Sequence, residues 1–437
     1  MVTSAPLSSP SVTSATLLPG YFACSFALSD AISDGEKPET EPPLEPFISD
    51  FGKRNFSPIT TEPSALKVAE LSTPQAVAAS RTEAATISRA IALATADMLR
   101  GRREFRSAIT DFLNLSGVSA LPEPTFADVL DAAKQIRPFL APTPLRRYPS
   151  LDRLAGASVF VKHENHNPTG AFKVRGGVNL VSRLSEDERS RGVIAASTGN
   201  HGQSVAFAAR QFGVSAIICA PAVANPVKVE SMQDLGAEVI LEGERYDDSR
   251  RTAERLAREH GYRYIHSGDE PLLIAGVGTH TLELLHEQPD IEVIFVPIGG
   301  GSGAAGACIV AKAVSPAIRV IGVQSEQAPS AYLSWKSGEL QDAPNRTRAE
   351  GLSTAAPFEL PQRILRRHLD DFVLVSDDEI DAATSVMIEK TRTLVEAAGA
   401  AALAGAIKMR EKVRGMKIAL ICSGGNISPA QLRALLS

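Results

Sequence analysis

Cysteine is scarce in this 437-residue chain, and the four present, Cys24, Cys219, Cys308 and Cys422, lie far apart. None forms a C-x-x-C pair, which argues against a disulfide framework or a zinc site and for a reducing, cytoplasmic setting. Long apolar runs are missing too: none approaches the roughly 20 residues of a membrane span. Charge of one sign is not in excess. A net charge of -5 gives no reason to expect nucleic acid or an anionic membrane as partner. No Lys or Arg precedes the short apolar stretch 17–28, so it makes a poor signal peptide, and the early region is too poor in Arg for a mitochondrial presequence. What is left is an ordinary composition, with length enough for two or three compact units.

The first part of the chain is rich in Ser, Thr and Pro up to about residue 70. It has no periodic apolar face to offset ordering entropy, so disorder is expected there. Residues 82–106 carry Ile87, Ile91, Met98, Leu99 and Phe105 at spacings that suggest a helix with one apolar face. Residues 1–120 are therefore expected to be an extension, partly disordered and partly helical; Met98 is a candidate for the natural start.

Beyond it the pattern is regular. Thr125 and Asp128 fit a capping box before an amphipathic helix ending near Pro138. Strands are expected at 193–196, 216–219, 238–241 and 262–265, alternating with helices at 203–212, 227–235 and 248–260. Those helices run into Gly213, Gly236 and Gly261, as C-terminal caps should. A second set follows, with strands at 293–298, 319–323 and 417–421 and helices at 304–314, 378–393 and 398–413. Strand–helix alternation implies parallel pairing with right-handed crossovers. The apolar strands imply sheets covered on both faces.

Four glycine-marked segments punctuate this frame. Segment 299–303, Gly-Gly-Gly-Ser-Gly, joins a strand to a helix. Backbone N–H groups and a helix N-terminus then surround one point, which suits a phosphate, although a plain tight turn would read the same way. It lacks the Lys-Ser/Thr ending of a nucleotide-triphosphate loop. Segment 167–176 holds Lys173 between Phe172 and nearby glycines. A confined lysine can lose its proton and attack an aldehyde, whereas most surface lysines are solvated charges. Segment 197–202, Ser-Thr-Gly-Asn-His-Gly, lies at the C-terminal end of a parallel strand, where it could hold a carboxylate or simply cap a helix. Ser423 follows a buried strand and could face a cofactor ring or be another turn residue.

Taken in order, NPTGAFKVRGG, STGNHGQ, GGGSG and SGGN resemble the fold-type II enzymes that use pyridoxal 5'-phosphate, specifically the serine/threonine dehydratase (threonine ammonia-lyase) and serine racemase branch. Cysteine synthases carry Thr at the position of His201, and threonine synthases typically carry Asp at that of Val174; both points favour the dehydratase branch. The resemblance spans about residues 125–437. It implies an α/β fold of two open parallel-sheet domains, tryptophan synthase beta-like. Residues 121–194 and 271–437 would form the large cofactor-binding domain, and 195–270 a small mobile one. It further implies that Lys173 is the Schiff-base lysine and that Phe172 packs on the ring. Asn200 would bond the ring hydroxyl, Gly299, Gly300, Gly301, Ser302 and Gly303 would hold the phosphate, and Ser423 would sit by the ring nitrogen. Ser197, Asn200 and His201 fall where the substrate carboxylate is held. Ser197 and Thr198 join Lys173 as candidate catalytic groups.

The implied activity is loss of water and then ammonia from a β-hydroxy amino acid (serine, threonine or a larger relative), giving a 2-oxo acid. A racemase of the serine racemase type and a non-catalytic cofactor-binding homologue are the alternatives. Thr198 replaces the serine that protonates the opposite face of Cα in serine racemase, which disfavours racemisation. Gln324 and Ser330 stand where serine racemase has acidic metal ligands, so no metal is expected. Ala171 and Val277 depart from a frequent serine and glutamine. Such departures suggest a less common branch, of the hydroxyectoine-utilisation or hydroxyaspartate dehydratase kind. The expected partner is a small amino acid, with assembly as a homodimer or higher homo-oligomer. The sequence closes shortly after Asn426, which sets the expectation of no C-terminal regulatory domain.

Overall fold

The computed structural model describes residues 121–436. The expectations for the extension, including the helix at 82–106 and the alternative start at Met98, lie outside the described residues.

The described chain opens as expected. Thr125 caps the helix Phe126–Ile136, its hydroxyl accepting from the Asp128 amide, and the Asp128 carboxylate accepts from the Thr125 amide in return. Ten strands then form two sheets. The larger has six strands in the order β1 (Leu145–Arg147), β2 (Ser158–His163), β10 (Lys417–Cys422), β7 (Val293–Pro297), β8 (Arg319–Ser325) and β9 (Asp371–Val375). The smaller has four, in the order β5 (Glu238–Leu241), β4 (Ala216–Ala220), β3 (Val193–Ala196) and β6 (Arg263–Tyr264). Every pairing is parallel except the edge pair β1–β2, which is antiparallel. The fold class is therefore the expected α/β arrangement of two open parallel sheets, with an antiparallel edge strand that the sequence reading did not include. The expected C-terminal caps hold: Gly213, Gly236 and Gly261 all have positive φ.

Three helices position the site. Helix Lys173–Val181 packs on helix Pro271–Glu287, which packs on helix Ser302–Val314. Glycine makes both contacts close. A Cβ on Gly276 would stand 2.6 Å from the Arg175 carbonyl oxygen, and one on Gly306 would stand 2.8 Å from Gly278 Cα. Backbones can approach this way only where side chains are absent. The middle helix is buried along nearly its whole length, so it shows no polar face to mark it in the sequence. The close packing sets the N-termini of the outer two helices, and with them Lys173 and Ser302, side by side. Across the large sheet, the small-residue helix Ala397–Lys408 lies so close that a Cβ on Gly405 would press on Val323. Among the described residues no helix is long and apolar enough to cross a membrane.

Candidate active site

The chain from Gly170 to Phe172 is stitched to the end of the central strand β10. The Gly425 amide donates to the Gly170 carbonyl at 2.9 Å, Ala171 bridges Gly424, and the Phe172 amide donates to the Ser423 carbonyl at 3.0 Å. Gly170 takes φ +66°, and a Cβ there would collide with the Asn426 side chain. This stitching brings Ser423, which is buried, up to the start of the Lys173 helix.

Lys173 is half-buried as a residue, but its amine is closed in by protein. Nζ lies 2.8 Å from Ser302 Oγ, 3.1 Å from the Ser267 carbonyl oxygen and 5.3 Å from the centre of the Phe172 ring. No carboxylate pairs with it among the described residues. Burial therefore acts unopposed and lowers the amine to about 8, within reach of the neutral, nucleophilic form near physiological pH.

Ser302 heads the glycine turn. Gly301 takes φ +92° as N-cap of helix Ser302–Val314, and the first-turn N–H groups there have no partner within the helix. A Cβ on Gly300 would collide with the Phe358 ring, and one on Gly303 would press on the Phe172 ring at 3.1 Å. A Cβ on Gly299 would stand 2.6 Å from the Gly351 carbonyl oxygen. The turn is a bare-backbone cradle at a positive helix end, beside an amine. It fits a phosphate whose aldehyde must reach Lys173.

The second turn leaves β3. The Ser197 hydroxyl accepts from the Gly199 amide at 3.1 Å and the Gly202 amide at 2.8 Å, so it caps the helix Asn200–Gln211. The first-turn amides of Asn200 and His201 have no partner within the helix and remain as anion donors. Thr198 is exposed. The Asn200 side chain donates to Glu396 Oε1 at 2.7 Å and accepts from Asn426 Nδ2 at 2.8 Å, which leaves its second N–H available. The His201 ring is buried, with Nε2 3.1 Å from the Ile265 carbonyl oxygen. Burial, and then the positive charge of Lys173, lower it to about 3.

Gln324 and Ser330 are occupied internally: Gln324 Oε1 accepts from the Tyr332 amide and Ser330 Oγ donates to the Thr354 carbonyl. Among the described residues no three His, Cys, Asp or Glu side chains converge as a metal site.

Three features of the site escaped the sequence reading. Glu396 is buried against Asn200, and its carboxyl is raised by burial, with Lys228 and the Asn200 bond opposing. Lys228, whose chain covers Gly199, pairs with Glu350. Ser267 supplies the carbonyl on Lys173. All three come from segments far from the glycine motifs, and a lone Glu ahead of an alanine-rich helix reads as a solvated first-turn acid.

Comparisons with known proteins show the family of the chain. The family model described as pyridoxal-phosphate dependent enzyme matches residues 136–424. The L-threonine ammonia-lyase of Thermotoga maritima is 37% identical over 304 residues, covering 69% of this chain and 76% of that protein. The L-threo-3-hydroxyaspartate ammonia-lyase of Saccharomyces cerevisiae is 36% identical over 315 residues, covering 72% and 97%. The structure of maize serine racemase superposes with a TM-score of 0.69 at 31% identity, covering 72% of this chain and 97% of that one. An amine without a counter-ion, set against a bare phosphate cradle, is thus found where the family match lies: this chain belongs to the family of pyridoxal-phosphate dependent enzymes.

Proposed function

We propose that this protein is an ammonia-lyase that converts a β-hydroxy amino acid to a 2-oxo acid and ammonia. The observation that carries the reading is the pair Lys173 Nζ and Ser302 Oγ at 2.8 Å, an amine of lowered pKa at the mouth of the glycine cradle. Pyridoxal phosphate, when bound, supplies the aldehyde that attaches the substrate amine and the electron sink that acidifies its Cα–H bond. Gly299, Gly300, Gly301, Ser302 and Gly303 would hold its phosphate, Phe172 would flank its ring, Asn200 would bond its ring hydroxyl and Ser423 would face its ring nitrogen.

The amides at the start of helix Asn200–Gln211 hold the substrate carboxylate, in the turn capped by Ser197. Lys173 would receive the Cα proton as general base. Its two N–H groups are already directed at Ser302 and Ser267, which leaves its lone pair for that proton. The part that carries the smaller sheet, expected at 195–270 but including β3 from Val193, moves against the rest of the described chain to admit substrate. The relatives act, by name, on threonine and on threo-3-hydroxyaspartate, so the substrate class is a β-hydroxy amino acid of that size. We further assign the enzyme to the cytoplasm and to a homodimer or higher homo-oligomer. The described cysteines Cys219, Cys308 and Cys422 are all free, in keeping with a reducing setting.

The test is 2-oxo acid release from serine, threonine and threo-3-hydroxyaspartate in both configurations, with wild type and Lys173→Ala. Release by wild type only, together with a visible cofactor band lost in the variant, supports the reading. No release from any of them sinks it. Thr198 keeps a hydroxyl exposed at the loop tip, so chiral assay of the residual substrate reads the racemase alternative in the same experiment.

A further inference from the structure

The segment leaving β6 holds two site groups with alternate carbonyls. Ile265 accepts from His201 Nε2 at 3.1 Å, and Ser267 accepts from Lys173 Nζ at 3.1 Å. A carbonyl can only accept, so Nε2 carries the imidazole proton and Nδ1 is left as a lone pair. That Nδ1 is buried and has no hydrogen-bond partner. Buried polar atoms are seldom left so, and an orphan in an active site points to a partner that arrives during the reaction. A lone pair cannot hold a carboxylate, so the ring is not used for that; it needs a donor.

Lys173 becomes one. As a neutral amine it has two N–H groups, and both have acceptors, Ser302 Oγ and the Ser267 carbonyl. When the Cα–H bond breaks and its proton forms the third N–H bond on Nζ, the ammonium has one donor more than the site has engaged. His201 and Lys173 interact electrostatically and hang from the same edge of segment 265–267. We propose that His201 Nδ1 is the third acceptor for the Lys173 ammonium, making His201 a positioning residue that holds the proton taken from Cα on the lysine until the β-hydroxyl has left. This rests on the reading of Lys173 as the general base.

The other charges nearby leave His201 in this role. His266, which acts on His201 electrostatically, is itself lowered by burial; Asp269, Glu270 and Glu254 oppose that shift and Arg250 adds to it. Glu396 interacts with Lys228 and Glu350. With its own value near 3, His201 stays neutral throughout the working range.

The decisive variant is His201→Leu, which fills much of the place of the ring and offers no acceptor where Nδ1 stood. An acceptor stabilises the ammonium and raises its pKa, so its removal lowers that pKa. The acid limb of the pH profile of kcat should then move down by roughly one unit, the size of one charge-assisted hydrogen bond. Lys173 becomes the weaker base, kcat falls roughly tenfold, and the isotope effect with α-deuterated substrate grows. KM and the visible cofactor band stay within about twofold, since ground-state binding is untouched. Independently of turnover, 15N spectra of the full-length protein before cofactor loading should show, over pH 5–9, one histidine with protonated Nε2 and bare Nδ1 that disappears in His201→Leu. An Nδ1–H tautomer, an unmoved acid limb, or a loss confined to KM overturns the proposal. If wild type releases no 2-oxo acid, the proposed function fails instead, and the tautomer measurement alone decides this one.

Discussion

Lys173 and Arg175 are separated by one residue in the same helix, both cations are enclosed by protein, and their surroundings could hardly differ more. Lys173 meets a hydroxyl, a carbonyl and a ring. Arg175 meets two carboxylates: Nε and Nη2 donate to Glu164 at 2.6 and 2.9 Å, and Nη1 and Nη2 donate to Glu283 at 2.6 and 2.8 Å. Lys162 joins Glu283 at 2.5 Å, and Asn167 Nδ2 donates to Glu164 at 2.8 Å, which ties the turn before Lys173 into the network. Burial lowers the lysine; it also opposes the charge of Arg175, but the two glutamates outweigh it and raise the guanidinium. Burial works against Glu164 in the same way, and Arg175 and Lys162 hold its carboxyl below the usual range. The lesson is that burial alone does not decide reactivity. Removing a cation from water without a counter-ion makes a nucleophile, and removing it with two makes a rigid floor beneath that nucleophile.

The largest effects should come from removing each cation. Lys173→Ala should cut turnover by roughly 10²–10⁴-fold or more and abolish cofactor attachment while leaving the melting transition near that of the wild-type apoprotein. Arg175→Met should do the reverse in kind. It strands Glu164 and Glu283 without their main partner and should cost about 3–5 kcal/mol in urea unfolding. Pairing it with Glu164→Gln should recover part of that loss. A stable Arg175→Met protein would erase the distinction drawn between the two sites.

The proton affinity of the amine sharpens the comparison. In the apoprotein, modification of Lys173 by an amine reagent should follow a midpoint near pH 8, against roughly 10.4 for an ordinary lysine. The neutral form is the reactive one, so the rate should rise through pH 8 and level off above it. A midpoint close to that of surface lysines would mean that water reaches the amine freely.

The reactive half of this comparison was legible in the sequence, and the rigid half was not. Lys173, Ser302, Asn200 and Ser423 each sit at a strand end or beside a glycine turn, and such turns leave a mark because few residues satisfy their backbone. Glu164, Glu283 and Lys162 leave none, and Arg175 lies within segment 167–176 without a role being read for it. They are ordinary charged residues, and the separations between Glu164 or Lys162 and Glu283 exceed a hundred positions. Only the packing of helix Pro271–Glu287 against helix Lys173–Val181 brings them together. That middle helix was itself missed because it is buried nearly all round, Thr279, His280 and Thr281 included, and so shows no solvent-facing polar stripe. The strand expected at 262–265 forms over Arg263 and Tyr264; the Ile265 amide still donates to the Ile194 carbonyl at 2.8 Å, but the carbonyls of Ile265 and Ser267 go to His201 and Lys173. Function took over from the sheet at that point.

The cradle supplies a smaller effect. Gly300→Ala drives a methyl group into the Phe358 ring, which stacks edge-on against His266 with centroids 4.7 Å apart and so cannot simply swing away. Overpacking of this kind costs roughly 1–3 kcal/mol. It should appear as a lower unfolding midpoint of the apoprotein and as weaker cofactor retention on dialysis.

The finest probe touches one hydrogen bond of the floor. A guanidinium has five N–H groups, and in Arg175 all five have acceptors: one on Nε, two on Nη1 counting Thr279 Oγ1 at 3.2 Å, and two on Nη2. Thr279→Val keeps the shape of the side chain and removes that acceptor. It also removes the Thr279 hydroxyl bond to the Gly276 carbonyl at 2.7 Å, but that carbonyl keeps its place in the helix ladder. The net result is one unpaired N–H on a guanidinium already neutralised by two carboxylates. Stability should fall by about 1–3 kcal/mol, less than for Arg175→Met, and kcat should hold within about twofold because the start of the Lys173 helix is fixed by Glu164 and Asn167 rather than by Thr279. A large loss of kcat at full stability would show instead that helix Pro271–Glu287 communicates directly with the amine, and the separation between a rigid floor and a reactive site would then have to be abandoned.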